Sequence, residues 1–284
     1  MPARFPDKTV AANASDSSSD SLPRTCCLLV ARNGRDVWTI GSNVILKNKV
    51  HYPGCDVEVA NLDFVSEQIE TPVSKILYSW RESDRLYTLQ ERVAGVPLAD
   101  ALPRLSQKDL ARIGEQLGSF LAQLRGITNQ TMQMLDGRTV IDRRLLKPLA
   151  AASEREQEPK VISTDEGVAE ALALRIRGHV DETTLARLMA RMPTATPFTF
   201  SHSDLHEGNV MVSDGQFTGL IDWELAGFYP VWWETVNATP VLDGHLPEEL
   251  GHPDALKWFD VYHAVRDAPE SHETVEKLQE YLGS

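Results

Sequence analysis

The sequence predicts an α+β fold in two lobes, a small antiparallel-sheet N-lobe followed by a mainly helical C-lobe. Three observations predict it. Between residues 25 and 93, β-type runs punctuated by turn residues surround one helical stretch. From Ser106 onward, apolar residues recur at helical spacing. Between Phe198 and Pro230, a strand–turn–strand pattern carries a concentrated set of polar residues, His202, Asp204, Asn209 and Asp222.

The N-lobe elements follow in order. The run CCLLVAR from Cys26, the Asn33-Gly34 turn, DVWTI from Asp36, the Gly41-Ser42-Asn43 turn and VILK ending at Lys47 read as a three-stranded antiparallel meander. Asp56–Ile69 reads as a helix, with Val57, Val59 or Ala60, Phe64 and Ile69 loosely periodic. Val73–Trp80 and Arg85–Val93 read as two more strands around the Glu82-Ser83-Asp84 turn. Gly95–Leu98 reads as a connector. The C-lobe then opens with Ser106 as an N-cap and Leu110, Ile113, Leu117, Phe120, Leu121 and Leu124 on one helical face. Residues 128 to about 180 carry the weakest pattern, with a helix expected from Asp165 towards Val180. Asp181–Met192 reads as a helix with an acidic first turn that complements the helix dipole. Residues 1–24 are Ser- and Asp-rich without periodicity and are expected to be a disordered tail, which leaves residues 25–93 and 94–284 as the lobes.

Composition narrows the function classes. A chain of 284 residues, 42% hydrophobic and with six tryptophans, can bury a substantial core. No apolar run reaches membrane-spanning length, the N-terminus lacks a signal-peptide core, and three cysteines make no disulfide framework, so a cytoplasmic protein without a membrane partner is expected. A net charge of −13 argues against nucleic acid as a partner and is compatible with a cationic small molecule.

The polar hairpin carries the chemistry. Asp214-Gly215 is a two-residue turn signal that pairs Val212 with Phe217, Val210 with Gly219 and Asn209 with Leu220. Asn209 and Asp222 then converge at the open end of the hairpin on one face. A carboxylate and an amide oxygen so placed suit a hard cation such as Mg2+. Asp204 lies on the loop entering the same strand, where a carboxylate can take the proton of an acceptor hydroxyl.

Asp204 and Asn209 stand five residues apart, His202 precedes the Asp by two, and a further Asp comes after them on the hairpin, as in a protein-kinase catalytic loop and its metal-holding Asp. The segments HSDLHEGN (His202–Asn209) and IDWE (Ile221–Glu224) resemble the aminoglycoside phosphotransferase and choline kinase superfamily, and AGFYPVWWE (Ala226–Glu234) is similar to the next segment of its fungal members. The resemblance implies a protein-kinase-like fold and an ATP-dependent phosphotransferase acting on a hydroxyl of a small, cationic or neutral, acceptor. It implies Asp204 as catalytic base, Asn209 and Asp222 as Mg2+ ligands, and His202 as a brace of the loop. It further implies that Lys47 contacts the α- and β-phosphates, with Glu58 orienting it; Lys49 and Asp56 are the competing positions. The adenine would bond the backbone of Glu91 and Val93 and lie over Met211.

One departure is evident: no G-x-G-x-x-G precedes these elements, and the phosphate loop is reduced to the Asn33-Gly34-Arg35 turn. The lack of that loop, of D-F-G and of A-P-E after Asp222 argues against a protein kinase. A catalytically silent kinase-fold scaffold is the alternative, against which the joint presence of Lys47, Asp204, Asn209 and Asp222 weighs. Trp223, Phe228, Tyr229, Trp232, Trp233 and Trp258 read as C-lobe core, with a cage for a quaternary ammonium group as the other reading.

Overall fold

A computed structural model describes residues 26–32, 34–52, 54–69, 73–140, 145, 161–238, 246, 250 and 252–283; the tail expected over residues 1–24 lies outside them. Strands β1 (Cys26–Arg32), β2 (Arg35–Ile40), β3 (Val44–Val50), β4 (Ile76–Glu82) and β5 (Arg85–Glu91) form one antiparallel sheet in the order β1-β2-β3-β5-β4. All five expected strands are present. Between β3 and β4 runs helix α1 (Val57–Gln68), which buries Val57, Glu58, Asn61, Leu62 and Val65 on one face. Two of those five are polar: Glu58 pairs with Lys47, and Asn61 bonds the backbone just after Asp222.

The remainder is mainly helical. Strand β6 (Val96–Pro97) and helix α2 (Leu98–Ala101) occupy the stretch expected to be a plain connector. Helix α3 (Gln107–Arg125) comes next, and its Ser106 cap is a full capping box: the Ser106 hydroxyl accepts from the Asp109 amide, and the Asp109 carboxylate accepts from the Ser106 amide. Such a cap contributes about 1 kcal/mol. Two short strands, β7 (Thr128–Asn129) and β8 (Gln133–Met134), lead to helices α4 (Asp165–Ile176) and α5 (Glu182–Ala190). Helix α4 stops four residues short of the expected Val180, and Gly178 turns the chain there at φ +87°.

Strands β9 (Phe198–Ser201), β10 (Val210–Ser213), β11 (Gln216–Leu220) and β12 (Gly227–Tyr229) come next, then helices α6 (Trp233–Asn237), α7 (Pro253–Asp267) and α8 (His272–Gly283). They make two small sheets, ordered β11-β10-β6 and β7-β9-β12-β8. Trp223, Trp232, Trp233 and Trp258 are each at most 1% exposed, and Phe228 and Tyr229 are also buried. Trp232 and Trp258 pack at 6.2 Å, and Trp258 stacks on Tyr262 at 5.2 Å. These rings are core, and none is open to serve as a cation cage. Among the described residues no helix is long and apolar enough to cross a membrane.

Candidate active site

The sheet of β1–β5 and the β6–β10–β11 sheet face each other across a cavity of about 1010 Å³. Lys47, Val93, Asn209, Met211 and Asp222 all line it. Glu91 does not: it is exposed, and its backbone carbonyl accepts from the Ser74 hydroxyl, while its neighbours Gln90 and Arg92 face the cavity.

The hairpin differs from its expected register by one residue over half its length. Val212 pairs with Phe217 as expected, but Met211 pairs with Gly219 and Val210 with Leu220, because a bulge intervenes between Met211 and Val212. The extra residue is Thr218, whose hydroxyl donates to the Ala94 carbonyl, and Gly219 takes the left-handed φ of +152°. Asn209 therefore lies opposite Ile221, whose amide donates to the Asn209 carbonyl at 3.0 Å, rather than opposite Leu220. Asp222 comes one residue later with φ +70° and ψ +62°. This left-handed turn, uncommon for a non-glycine residue, returns the carboxylate to the cavity.

The loop from His202 to Asn209 is pinned from below. His202 is fully buried, its Nε2 donates to the Ile221 carbonyl at 3.0 Å, and its Nδ1 accepts from the Asp204 amide at 3.3 Å. This pattern requires a neutral ring, and burial pushes the His202 pKa down, against the pull of Asp204. The brace expected of His202 is thus a two-ended link between the loop of Asp204 and the strand leading into Asp222. Ser203, at φ +66°, accepts on its hydroxyl from Trp233 Nε1 at 2.9 Å and on its carbonyl from the Asn237 amide, and Glu234 accepts from the His202 amide. Asn209 Nδ2 donates to both the Asp204 carbonyl, at 2.9 Å, and its carboxylate, at 3.0 Å. The two residues five apart in sequence are one hydrogen-bonded unit.

His206 reaches the same carboxylate from the open side, its Nε2 3.7 Å from Asp204 Oδ2. That contact raises the His206 pKa, with partial burial opposing. Two histidines four residues apart are thereby driven in opposite directions.

The opposite wall is an ionic chain. Lys47 pairs with Glu58, settling the register against Asp56, which sits at the N-cap of α1. Lys49 shares Glu58 at 3.9 Å and reaches Glu224 at 3.4 Å, so both candidate lysines enter the site. Arg35 closes the chain, donating to Asp222 at 2.8 Å and to Glu224 at 3.1 Å. Burial alone would raise the Asp222 pKa, but Lys47 and Arg35 outweigh it and hold the carboxyl below its usual range. Arg35 and Glu224 were not singled out from the sequence as site residues, though both lie within motifs that were: Arg35 in the short phosphate turn and Glu224 in IDWE. A third addition is Asn61, buried on α1, whose Nδ2 donates to the Trp223 and Ala226 carbonyls at 2.8 and 3.2 Å. It fastens α1 to the turn just after Asp222.

The donor set suits a hard divalent cation. Carboxylate oxygens of Glu58, Asp222 and Glu224 lie within 4.8 Å of one another, and Asn209 adds an amide oxygen to the same cavity.

Comparison with known proteins bears on the assignment. Among solved structures, aminoglycoside phosphotransferase APH(4)-Ia superposes with a TM-score of 0.55 at 14% identity, over 91% of this chain and 90% of that one. A thermostable mutant of the same enzyme, in ternary complex with ADP and hygromycin B, gives 0.54 at 14% identity over the same shares. ADP-bound aminoglycoside phosphotransferase APH(2'')-Ib gives 0.52 at 12% identity, over 90% of this chain and 91% of that one. These likenesses establish the fold. A search of curated proteins by sequence finds no match. The family model described as the phosphotransferase enzyme family matches residues 44–272, a span that runs from β3 to the first turn of α8 and contains the whole hairpin site, and the chain belongs to that family.

Proposed function

We propose that this phosphotransferase transfers the γ-phosphate of ATP, bound with Mg2+, to a hydroxyl of a small-molecule acceptor. The observation that carries the reading is convergence: Asn209 and Asp222 line the cavity opposite the Lys47–Glu58 pair, and Asp204, outside the lining itself, is tied to Asn209 by hydrogen bonds. In this reading Asp204 is the base, Asn209 and Asp222 hold Mg2+, and Lys47, set by Glu58, contacts the phosphates. When bound, the metal neutralises charge on the phosphates. Asn209 orients Asp204 and, with its amide nitrogen so engaged, leaves its carbonyl oxygen for the cation. The nucleobase enters between Val93 and Met211, both on the cavity wall. Solved structures of the same fold that hold ADP support a nucleotide in this cavity.

The acceptor approaches from the side of His206. A net charge of −13 favours a cationic one. The three cysteines are free thiols, in keeping with a cytoplasmic setting.

Thermal stability with Mg2+ and ATP together, and with each alone, tests the reading. A nucleotide at a hundredfold excess over its dissociation constant adds about 2.7 kcal/mol. The expected result is a Mg2+-dependent shift in the wild type that is lost in Asp222→Ala. No shift with ATP or GTP would overturn the reading in favour of a silent scaffold. Transfer of labelled phosphate to protein instead of a small alcohol would overturn the acceptor class.

A further inference from the structure

The wall of the cavity holds three cations, Arg35, Lys47 and Lys49, threaded among three carboxylates, Glu58, Asp222 and Glu224. Of the three cations, Arg35 alone makes a direct ion pair with Asp222, and it does so through Oδ1, an oxygen that a metal ligand needs. It also comes from the place where kinases that wrap phosphates in a glycine-rich loop carry that loop and this chain does not. The β1–β2 turn is too short for that. Its Gly34 is tight against β3, where an added Cβ would lie 2.9 Å from the Val50 side chain. A turn of this length offers few backbone amides, yet the residue after it projects a guanidinium across the cleft to the floor.

From this geometry we propose that Arg35 is a phosphate-contacting residue, a side-chain substitute for the missing loop, which passes from Asp222 to the terminal phosphates when the metal–nucleotide binds. The inference rests on the kinase reading above. The exchange is balanced in charge. Asp222 gives the metal the oxygen it shares with Arg35, and the phosphates that arrive with the metal offer the guanidinium a replacement anion. Glu224, bonded to the other nitrogen, keeps the group in place during the exchange. A planar fork of N–H donors matches two phosphate oxygens better than an ammonium does.

The chemistry asks only for charge from this residue. The acceptor oxygen forms a bond to the γ-phosphorus, the bond from that phosphorus to the β–γ bridging oxygen breaks, and its electron pair leaves with ADP. The hydroxyl proton goes to the Asp204 carboxylate and on to solvent. Arg35 stabilises the negative charge that spreads over the transferred group and the leaving oxygen; an arginine in that role accelerates transfer by about 10³-fold or more.

The experiment compares adenosine, ADP and AMP-PNP binding, with saturating Mg2+, in the wild type, Arg35→Gln and Arg35→Lys by calorimetry. The expected result is adenosine affinity unchanged in all three, which also shows that the variants fold. AMP-PNP affinity should fall about tenfold or more in Arg35→Gln, with Arg35→Lys intermediate. If Arg35 serves only to hold Asp222 in the empty site, Arg35→Gln binds Mg2+ and AMP-PNP as well as the wild type or better, and the inference is overturned while the kinase reading stands. A wild type that binds none of the three overturns both.

Discussion

The floor and the roof of the cavity are built on opposite principles. On the floor, the loop carrying Asp204 hangs mainly from neutral hydrogen bonds sunk in the aromatic core, His202 to Ile221 and Ser203 to Trp233 and to Asn237, with one carboxylate, Glu234, accepting from the His202 amide. The roof depends on formal charges, Arg35, Lys47 and Lys49, held by Glu58 and reaching across to Asp222 and Glu224 beside the floor. Buried neutral bonds are insensitive to salt and costly to break, whereas the attraction within partly buried ion pairs is largely offset by desolvation, and charges that line a cavity can change partners when a ligand binds. The floor therefore fixes geometry and the roof responds to what binds. Mutations on the two sides should divide accordingly between stability and affinity.

The sharpest way to break that division is at Asp204, which belongs to the floor and is the base in the proposed reading. Asp204→Asn is expected to lower phosphate turnover about 10²- to 10⁴-fold, while AMP-PNP affinity and thermal stability stay near wild type. Loss of nucleotide affinity in this variant would show that the two walls are not separable. Next in size is His202→Ala, which deletes a fully buried ring and strands the Asp204 amide and the Ile221 carbonyl. A loss of about 2–4 kcal/mol in denaturant unfolding is expected, and a change confined to ligand affinity would contradict the floor's structural role.

The two histidines sharpen the comparison through pH. The pKa of His202 is lowered in the fold, so the unfolded chain takes up its proton first. Its contribution to stability is complete above the unfolded value of about 6.5 and is lost as pH falls below it. For His206, raised by Asp204, the sign reverses: the contribution is present below about 6.5 and is lost as pH rises through the elevated folded value. Stability profiles of His202→Asn and His206→Asn should therefore flatten on opposite sides of about pH 6.5, below it for His202 and above it for His206, and matching changes on one side would refute the assignment. The smallest effect is expected at Ser203→Gly. Relief of a left-handed backbone and loss of the Trp233 hydrogen bond each amount to about 1 kcal/mol and nearly cancel. A large loss in chemical denaturation would mean that the hydroxyl matters more than the turn.

Much of this could be read from the sequence, and the failures have physical causes. Helix α3 was legible because a capping box and a periodic apolar face agree. The hairpin was legible from Asp214-Gly215, but its register was not, since a bulge is a decision of the folded sheet: Thr218 bonds to Ala94, 124 residues away. Strand β9 alternates aromatic and hydroxyl residues, Phe198-Thr199-Phe200-Ser201, but over only four positions, a run too short to read as a strand on its own, and the fold buries both of its faces. Lys47, Glu58, Asn209 and Asp222 were placed in the cavity by resemblance and do line or flank it. Arg35 and Glu224 escaped because their significance lies in a contact spanning 189 positions, and a single Arg after a turn carries no local signal.

Helix α1 joins the two walls. Glu58 holds the roof lysines, and three residues on, Asn61 holds the carbonyl next to Asp222. The rise between them is about 4.5 Å. A helix does not stretch, so the separation of Lys47 from Asp222 is set by a rigid rod. The cleft thus contains its own ruler: in the proposed reading the helix sets the length open to a chain of phosphates between lysine and carboxylate, and a variant that loosens Asn61 is expected to blur that length before it weakens binding.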